Sequence, residues 1–337
     1  MKSFLFGLDH ASHDFSSPTS LGKNIFTNAF PLSLCQYLAL KRCLQIPTIR
    51  ATSGSTGKLA TEHVMTPWSQ IIGVDPEQAR FEFEGIYSGY RAYTHTSANK
   101  SDVVVADRVT GAHVRPLEIK LVVVPTSSTA NNLREDQSCE IVVRPPTVEQ
   151  LAFSIAHSYG LDNRSLLQRL IVDALLKPND YKWSDEDYMI KALPNILNAA
   201  ENIVVGGLAL QTPLVLTAIW RSEGQKPILD EHAFDAFVWT DLAFIQLFTD
   251  QMHRDCFNAD GNLKEVKSIS RPSRALVWLI KSLLDYSVQK SLDFGGVHSS
   301  ITFGAQSDKA GAFTGASSLK HLQSEQFLYP RITRTEL

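Results

Sequence analysis

Two β-branched runs flank a polar segment between Ser101 and Pro125. The first is Ser-Asp-Val-Val-Val-Ala-Asp, and the second is Val-Arg-Pro-Leu-Glu-Ile-Lys-Leu-Val-Val-Val-Pro. Runs of this kind around a glycine-containing turn predict a β-hairpin, with Gly111 in the connection. Side chains alternate faces along a strand. Glu118 and Lys120 therefore share one face of the second strand, and Leu117, Ile119 and Leu121 share the other.

Upstream, Ser3–Lys23 is polar with scattered aromatics and predicts a loop. Pro31–Cys43 predicts a helix with Pro31 in its first turn and an apolar side of Leu32, Leu34, Cys35, Tyr37, Leu38 and Leu40. Ser53-Gly54-Ser55-Thr56-Gly57-Lys58 predicts a loop. Its glycines are too close together for a Walker phosphate loop, and Leu59 follows the lysine. Phe81-Glu82-Phe83-Glu84 lies just ahead of the hairpin.

Downstream, Thr126–Gln137 is a Ser/Thr/Asn-rich loop, placed where it could meet a sugar–phosphate backbone. Cys139–Arg144 predicts a strand ended by Pro145-Pro146. Helical spacing then dominates, over Val148–Tyr159, Ser165–Leu176, Ser184–Ala200, Phe234–Phe248 and Ala275–Val288. The third of these opens on a Ser184…Asp187 capping pair, and Pro194 is expected to kink it. Gly295–Ser318 predicts irregular structure or short strands. The chain thus reads as α/β (α+β), a mixed sheet flanked by helices. Residues 1–145 carry the hairpin, and residues 146–337 form a mainly helical part that packs on it.

Composition narrows the class. The chain has 337 residues, 44% hydrophobic and 20% charged, enough to bury a sizeable core. A net charge of −3 gives no global basic field, so a nucleic-acid partner requires a local basic cleft. Cys35, Cys43, Cys139 and Cys256 form no CxxC pair, which argues against a zinc knuckle or a disulfide framework and for reduced thiols in a cytoplasmic protein. The N-terminal apolar run is too short for a signal peptide, and no stretch approaches a membrane span.

A carboxylate and an ammonium inside so apolar a strand are costly unless paired, hydrated or metal-bound. Asp102 opens the neighbouring strand and can reach the same place. Asp102 and Glu118, with the Ile119 carbonyl, supply the hard oxygens that Mg²⁺ prefers. Lys120 would steady an attacking water or the charge that develops at phosphorus. The bland alternative is a surface ion pair of little worth. Glu84 reads either as a further ligand or as a solvated glutamate. Asp107 competes with Asp102 but sits beside the turn, where an exposed Asp is ordinary. His95 and His113 read as loop histidines, and Asn258–Asn262 as a turn lacking the closing Glu of a calcium loop.

The Asp102…Glu118-Ile119-Lys120 pattern resembles the PD-(D/E)XK nuclease superfamily, with Ser101 where that motif has Pro. More specifically, the chain resembles the HindVP/HgiDI family of type II restriction endonucleases. The likeness rests on Leu5-Phe6-Gly7-Leu8, Gly22-Lys23-Asn24, Phe30-Pro31, Phe83-Glu84, Leu117–Leu121, Glu140–Pro145, Phe237-Val238-Trp239 (read as helix) and Pro330-Arg331-Ile332. One departure is Pro125-Thr126-Ser127-Ser128-Thr129, where the family pattern has Pro-Asp before the threonines.

The resemblance implies a restriction-endonuclease-like fold in a prokaryotic cytoplasm. It implies Mg²⁺-dependent cleavage of double-stranded DNA at a short palindrome of the GRCGYC type, with Mn²⁺ able to substitute. It also implies a two-fold symmetric homodimer and a cognate DNA methyltransferase in the same system. Arg134, Arg144, Gln306 and Lys309 are candidate DNA contacts. Two other functions share these features: a repair or junction nuclease of the same superfamily, and a non-catalytic DNA-binding protein on a degenerate nuclease core.

Overall fold

The computed structural model describes residues 8–10, 23–55, 57–124, 139–143, 145–175, 177–223, 226–228, 236–294 and 317–321. The strands are β1 (Leu8–His10), β2 (Gln45–Ser53), β3 (Leu59–Pro67), β4 (Ala79–Gly85), β5 (Ser101–Asp107), β6 (His113–Val124), β7 (Cys139–Val143), β8 (Pro213–Glu223), β9 (Lys226–Ile228), β10 (Ala236–Thr240) and β11 (Ser317–His321). The helices are α1 (Lys23–Lys41), α2 (Trp68–Ile72), α3 (Pro145–Tyr159), α4 (Arg164–Leu175), α5 (Glu186–Gly207), α6 (Asp241–Cys256) and α7 (Arg271–Gln289).

The described strands make one mixed sheet in the order β1-β4-β5-β6-β8-β10-β2-β3, with β7 joining β6 and β11, and β9 joining β8. Strands from both halves of the chain interleave: β8 and β10 lie between β6 and β2. Each face has its own core. Phe81, Phe83, Val103, Val105, Leu117 and Ile119 face α1 and α2 through Leu32, Leu38, Trp68 and Ile71. Ile49, Val104, Val215, Phe237 and Trp239 face α3 to α7. The alternation expected for Leu117 and Ile119 is therefore realised, and Glu118 and Lys120 fall on the face under α3. The fold is the expected helix-flanked mixed sheet. Among the described residues no helix is long and apolar enough to cross a membrane.

Several elements differ from the sequence-based expectation. Leu8–His10, expected as loop, is a strand parallel to β4. Helix α1 begins at Lys23, so Pro31 lies in its interior rather than its first turn. Burial of Leu32, Cys35 and Leu38, three residues apart along one face, outweighs the backbone bond that an interior proline forfeits. Tyr37 and Leu40 point outward. The Ser53–Lys58 loop, by contrast, forms as expected and links β2 to β3 in a hairpin, with Gly54 N–H donating to Lys58 O at 2.7 Å. The cap of α5 is Asp185, whose side chain accepts the Tyr188 N–H, not Ser184.

The largest departure is in Phe234–Phe248, read as one helix. Ala236–Thr240, which includes Phe237-Val238-Trp239, is a strand buried at every position between β8 and β2. A short apolar run buried on both faces carries no period that separates strand from helix. Thr240 ends the strand and caps α6, its side chain accepting the Ala243 N–H.

Candidate active site

The hairpin predicted from the sequence forms, and Gly111 takes the left-handed conformation (φ 71°) that its turn requires. The β5–β6 ladder stops at the pair Val103–Leu117. From Glu118 onward β6 pairs in parallel with β8, from Glu118–Val215 to Val124–Arg221. On the edge that β5 leaves, β7 joins among the described residues at Val123–Glu140. The sheet therefore forks between Leu117 and Val123.

Asp102 stands at the mouth of this fork. Its Oδ2 accepts the backbone N–H of Ile119 at 2.8 Å. The N–H and C=O of one strand residue point to the same edge. The Ile119 carbonyl therefore faces the same opening. Lys120 Nζ donates to Glu118 Oε1 at 2.5 Å and lies 3.6 Å from Asp102 Oδ2. Thr147 Oγ1, from the first turn of α3, donates to the same Glu118 oxygen at 3.1 Å.

Electrostatics set the protonation of this group. Burial lowers the affinity of Lys120 for its proton, but the nearby Glu118 and Asp102 carboxylates outweigh it and hold the ammonium above the ordinary lysine value. Lys120 is thus a cation and a hydrogen-bond donor at neutral pH, not a base. Glu118 is only 6% exposed, and a carboxylate so buried is tolerable because it is paired and hydrogen-bonded.

Two carboxylates and a backbone carbonyl on one opening suit a small, hard divalent cation that keeps several of its waters. Among the described residues no group of three or more His, Cys, Asp or Glu side chains is gathered as a metal cluster. Glu84 lies across from Asp102, because Phe83 pairs with Val103 and Gly85 with Ser101. It adopts a left-handed φ of 49°, unusual for a residue with a Cβ, and is not grouped with the two site carboxylates.

The competing residues are occupied elsewhere. Asp107 Oδ1 accepts from Val109 N, Thr110 N and Thr110 Oγ1, which caps the hairpin turn. His113 opens β6 rather than lying in a loop. Its Nδ1 accepts the Ser88 N–H at 3.1 Å and its Nε2 is 3.4 Å from Glu82, which also pairs with Arg80. Asn258–Asn262 is a turn, as expected, with Asn258 Oδ1 accepting from Asp260 N and Asn262 N. Arg134, Arg144, Gln306 and Lys309, and the Thr126–Gln137 segment, lie outside the described residues.

Sequence reading missed three polar residues around the fork. Thr147 reaches Glu118, and Gln150, one turn on, accepts from Ser101 Oγ at 3.1 Å. Thr217 is the β8 neighbour of Lys120, and its buried hydroxyl has no hydrogen-bond partner among the described residues. The signal for the first pair was a Thr-x-x-Gln spacing at the start of a largely buried helix. For Thr217 there was none, since a parallel neighbour distant in sequence leaves no local trace.

The family model for the HindVP restriction endonuclease matches residues 21–337. The chain is 32% identical over 333 residues to the type II restriction enzyme HgiDI of Herpetosiphon aurantiacus, covering 98% of this chain and 88% of that protein. It is 26% identical over 340 residues to the probable type II restriction enzyme HindVP of Haemophilus influenzae, covering 100% of this chain and 87% of that protein. No solved structure matches significantly. The family match spans nearly the whole chain and takes in both the fork and the helices that cover it, so the chain belongs to the HindVP restriction endonuclease family and is a nuclease of the type II restriction class.

Proposed function

We propose that this endonuclease hydrolyses phosphodiester bonds of duplex DNA with Mg²⁺, at a short palindrome of the GRCGYC type, and that Asp102, Glu118 and Lys120 form its cleavage site. The observation that carries this reading is the placement of Lys120 Nζ against Glu118 and near Asp102 at the fork.

Asp102, Glu118 and the Ile119 carbonyl would hold the cation, and Glu84 would approach it only from the second layer. Bound there, a divalent cation supplies a Lewis acid beside the scissile phosphate. The residues of the chain do the rest. A water attacks phosphorus and forms a new P–O bond, giving up its proton to solvent; the P–O bond opposite breaks, and the departing oxygen takes up a proton from solvent. Lys120 stays protonated and donates to the non-bridging oxygen on which charge builds up. Asp102 and Glu118 orient that ammonium. Mn²⁺ would occupy the same oxygens.

A palindromic target suits a homodimer in which each subunit reads one half-site. Arg134, Arg144, Gln306 and Lys309 remain proposed contacts to bases or phosphates, and a cognate methyltransferase would protect the host's own sites.

The test is digestion of a sequenced plasmid with and without Mg²⁺, followed by mapping of the ends. Discrete fragments that all end in one short sequence, formed only with the cation, are expected. Cutting confined to branches or free ends would point to a repair nuclease, and absence of cleavage to a DNA-binding protein.

A further inference from the structure

We infer that the N-terminal end of α3 sets the spacing of the two site carboxylates, with Thr147 and Gln150 as positioning residues. The inference rests on the reading of Asp102, Glu118 and Lys120 as the cleavage site.

Beyond the Val103–Leu117 pair the β5–β6 ladder no longer ties the two strands together. Asp102 and Glu118 lie just past that point, one on each arm of the fork. One helical turn spans both arms. Thr147 Oγ1 donates to Glu118 Oε1 at 3.1 Å on the β6 side. Gln150 Oε1 accepts from Ser101 Oγ at 3.1 Å, and its Nε2 donates to the Asn99 carbonyl at 3.2 Å, on the β5 side. Residues three apart lie on one face of a helix, so a single rigid surface reaches both. Ser101 immediately precedes Asp102, and Gln150 holds the chain on either side of Lys100, at the entry to β5.

All of these groups are buried: Ser101, Thr147 and Gln150 are each 1% exposed. Apolar side chains would fill the same space without the cost of desolvating polar atoms. What the polar atoms add is direction. Thr147 fixes one oxygen of Glu118, and Gln150 uses both ends of its amide, so its orientation is determined. A shift of about 1 Å in a reacting group can cost roughly a hundredfold in rate, and a fork without a ladder is where such a shift would arise.

The test compares Thr147→Val, Gln150→Met and the conservative Thr147→Ser with the parent enzyme. Mn²⁺ binding to the full chain is followed by electron paramagnetic resonance, duplex binding is measured in chelator, and single-turnover plasmid cleavage is recorded against Mg²⁺ concentration. Thr147→Val and Gln150→Met are expected to bind duplex as the parent does and to bind Mn²⁺ roughly tenfold more weakly. They should cleave about ten- to a hundredfold more slowly at equal Mg²⁺. Thr147→Ser should restore both values. Unchanged Mn²⁺ affinity and Mg²⁺ dependence, with only a lower melting temperature, would overturn the inference. Should Gln150→Met fail to fold, Ser101→Ala removes the same link from the other side and is read in the same way. Wild-type cleavage by Asp102→Asn and Glu118→Gln would instead defeat the reading of the site. If those two are inactive while Thr147→Val and Ser101→Ala match the parent, only the positioning role falls.

Discussion

The carboxylate of Asp102 takes the place of a missing strand partner for Ile119, accepting its backbone N–H at 2.8 Å where the β5–β6 ladder has ended. The same side chain lies 3.6 Å from Lys120 Nζ. Asp102 thus has a structural and a chemical duty, and the two can be separated. Asp102→Asn keeps an acceptor for the Ile119 N–H and should retain near-parental stability, whereas Asp102→Ala leaves that N–H unpaired at a cost of about 1–3 kcal/mol. Both should abolish plasmid cleavage. Denaturant melts set beside cleavage assays check this, and equal stability of the two variants would remove the structural duty.

Lys120→Ala should keep site-specific DNA binding and lose cleavage by about 10²–10³-fold, the scale of removing one donor to a developing oxyanion. The change also has a pH signature. The ammonium is held above its ordinary value in the folded chain. Its contribution to stability is therefore full below the unfolded lysine value of about 10.4 and is lost as pH rises through the higher folded value. The variant should lack that alkaline loss of stability. Gel-shift, cleavage and alkaline denaturation measurements read the three effects, and full activity in the variant would take Lys120 out of the reaction.

Asp241 offers a second pH test, remote from the site chemistry. It is fully buried at the start of α6 and accepts hydrogen bonds from Ser154 Oγ at 3.0 Å, Ser158 Oγ at 2.7 Å, Thr212 N at 3.1 Å and Leu242 N at 2.8 Å. Burial outweighs these bonds and holds its carboxyl above the ordinary aspartate value. The folded chain then binds this proton more tightly than the unfolded one, so stability falls as pH rises from about 3.9 to the raised value and levels off above it. Asp241→Asn cannot titrate. Relative to that variant, the parent should lose ground across this window, as urea melts at a series of pH values would record. A constant difference would contradict the assignment.

Glu84 holds a left-handed conformation (φ 49°) directly across from Asp102. Such a conformation costs a non-glycine residue roughly 1–2 kcal/mol, and glycine's extra unfolded-state entropy returns about 0.5–1 kcal/mol of any gain. Glu84→Gly should therefore match or slightly exceed the parent in melting temperature. If the strain serves the site, cleavage should still fall by about tenfold or more. Unaltered cleavage would make Glu84 a conformational feature of the strand and nothing more.

Local sequence by itself determined the β5–β6 hairpin, its turn and the shared face of Glu118 and Lys120. Strand alternation and turn chemistry act within a few residues and need no knowledge of neighbours. It also determined most of the helices after Pro145, whose apolar stripes repeat at helical spacing. Tertiary structure decided the rest. Ala236–Thr240 is a strand because β8 and β2 pair with it on both edges and a core covers each face, a condition that its own run of apolar residues does not encode. The fork exists because β5 leaves one edge of β6 at Leu117 while β6 is held on its other edge by β8, which lies almost a hundred residues further along the chain. Thr147, Gln150 and Thr217 reach the site only through that long-range packing. Pairing between distant segments is chosen by the burial of the whole sheet, so these residues became visible only once the chain was folded.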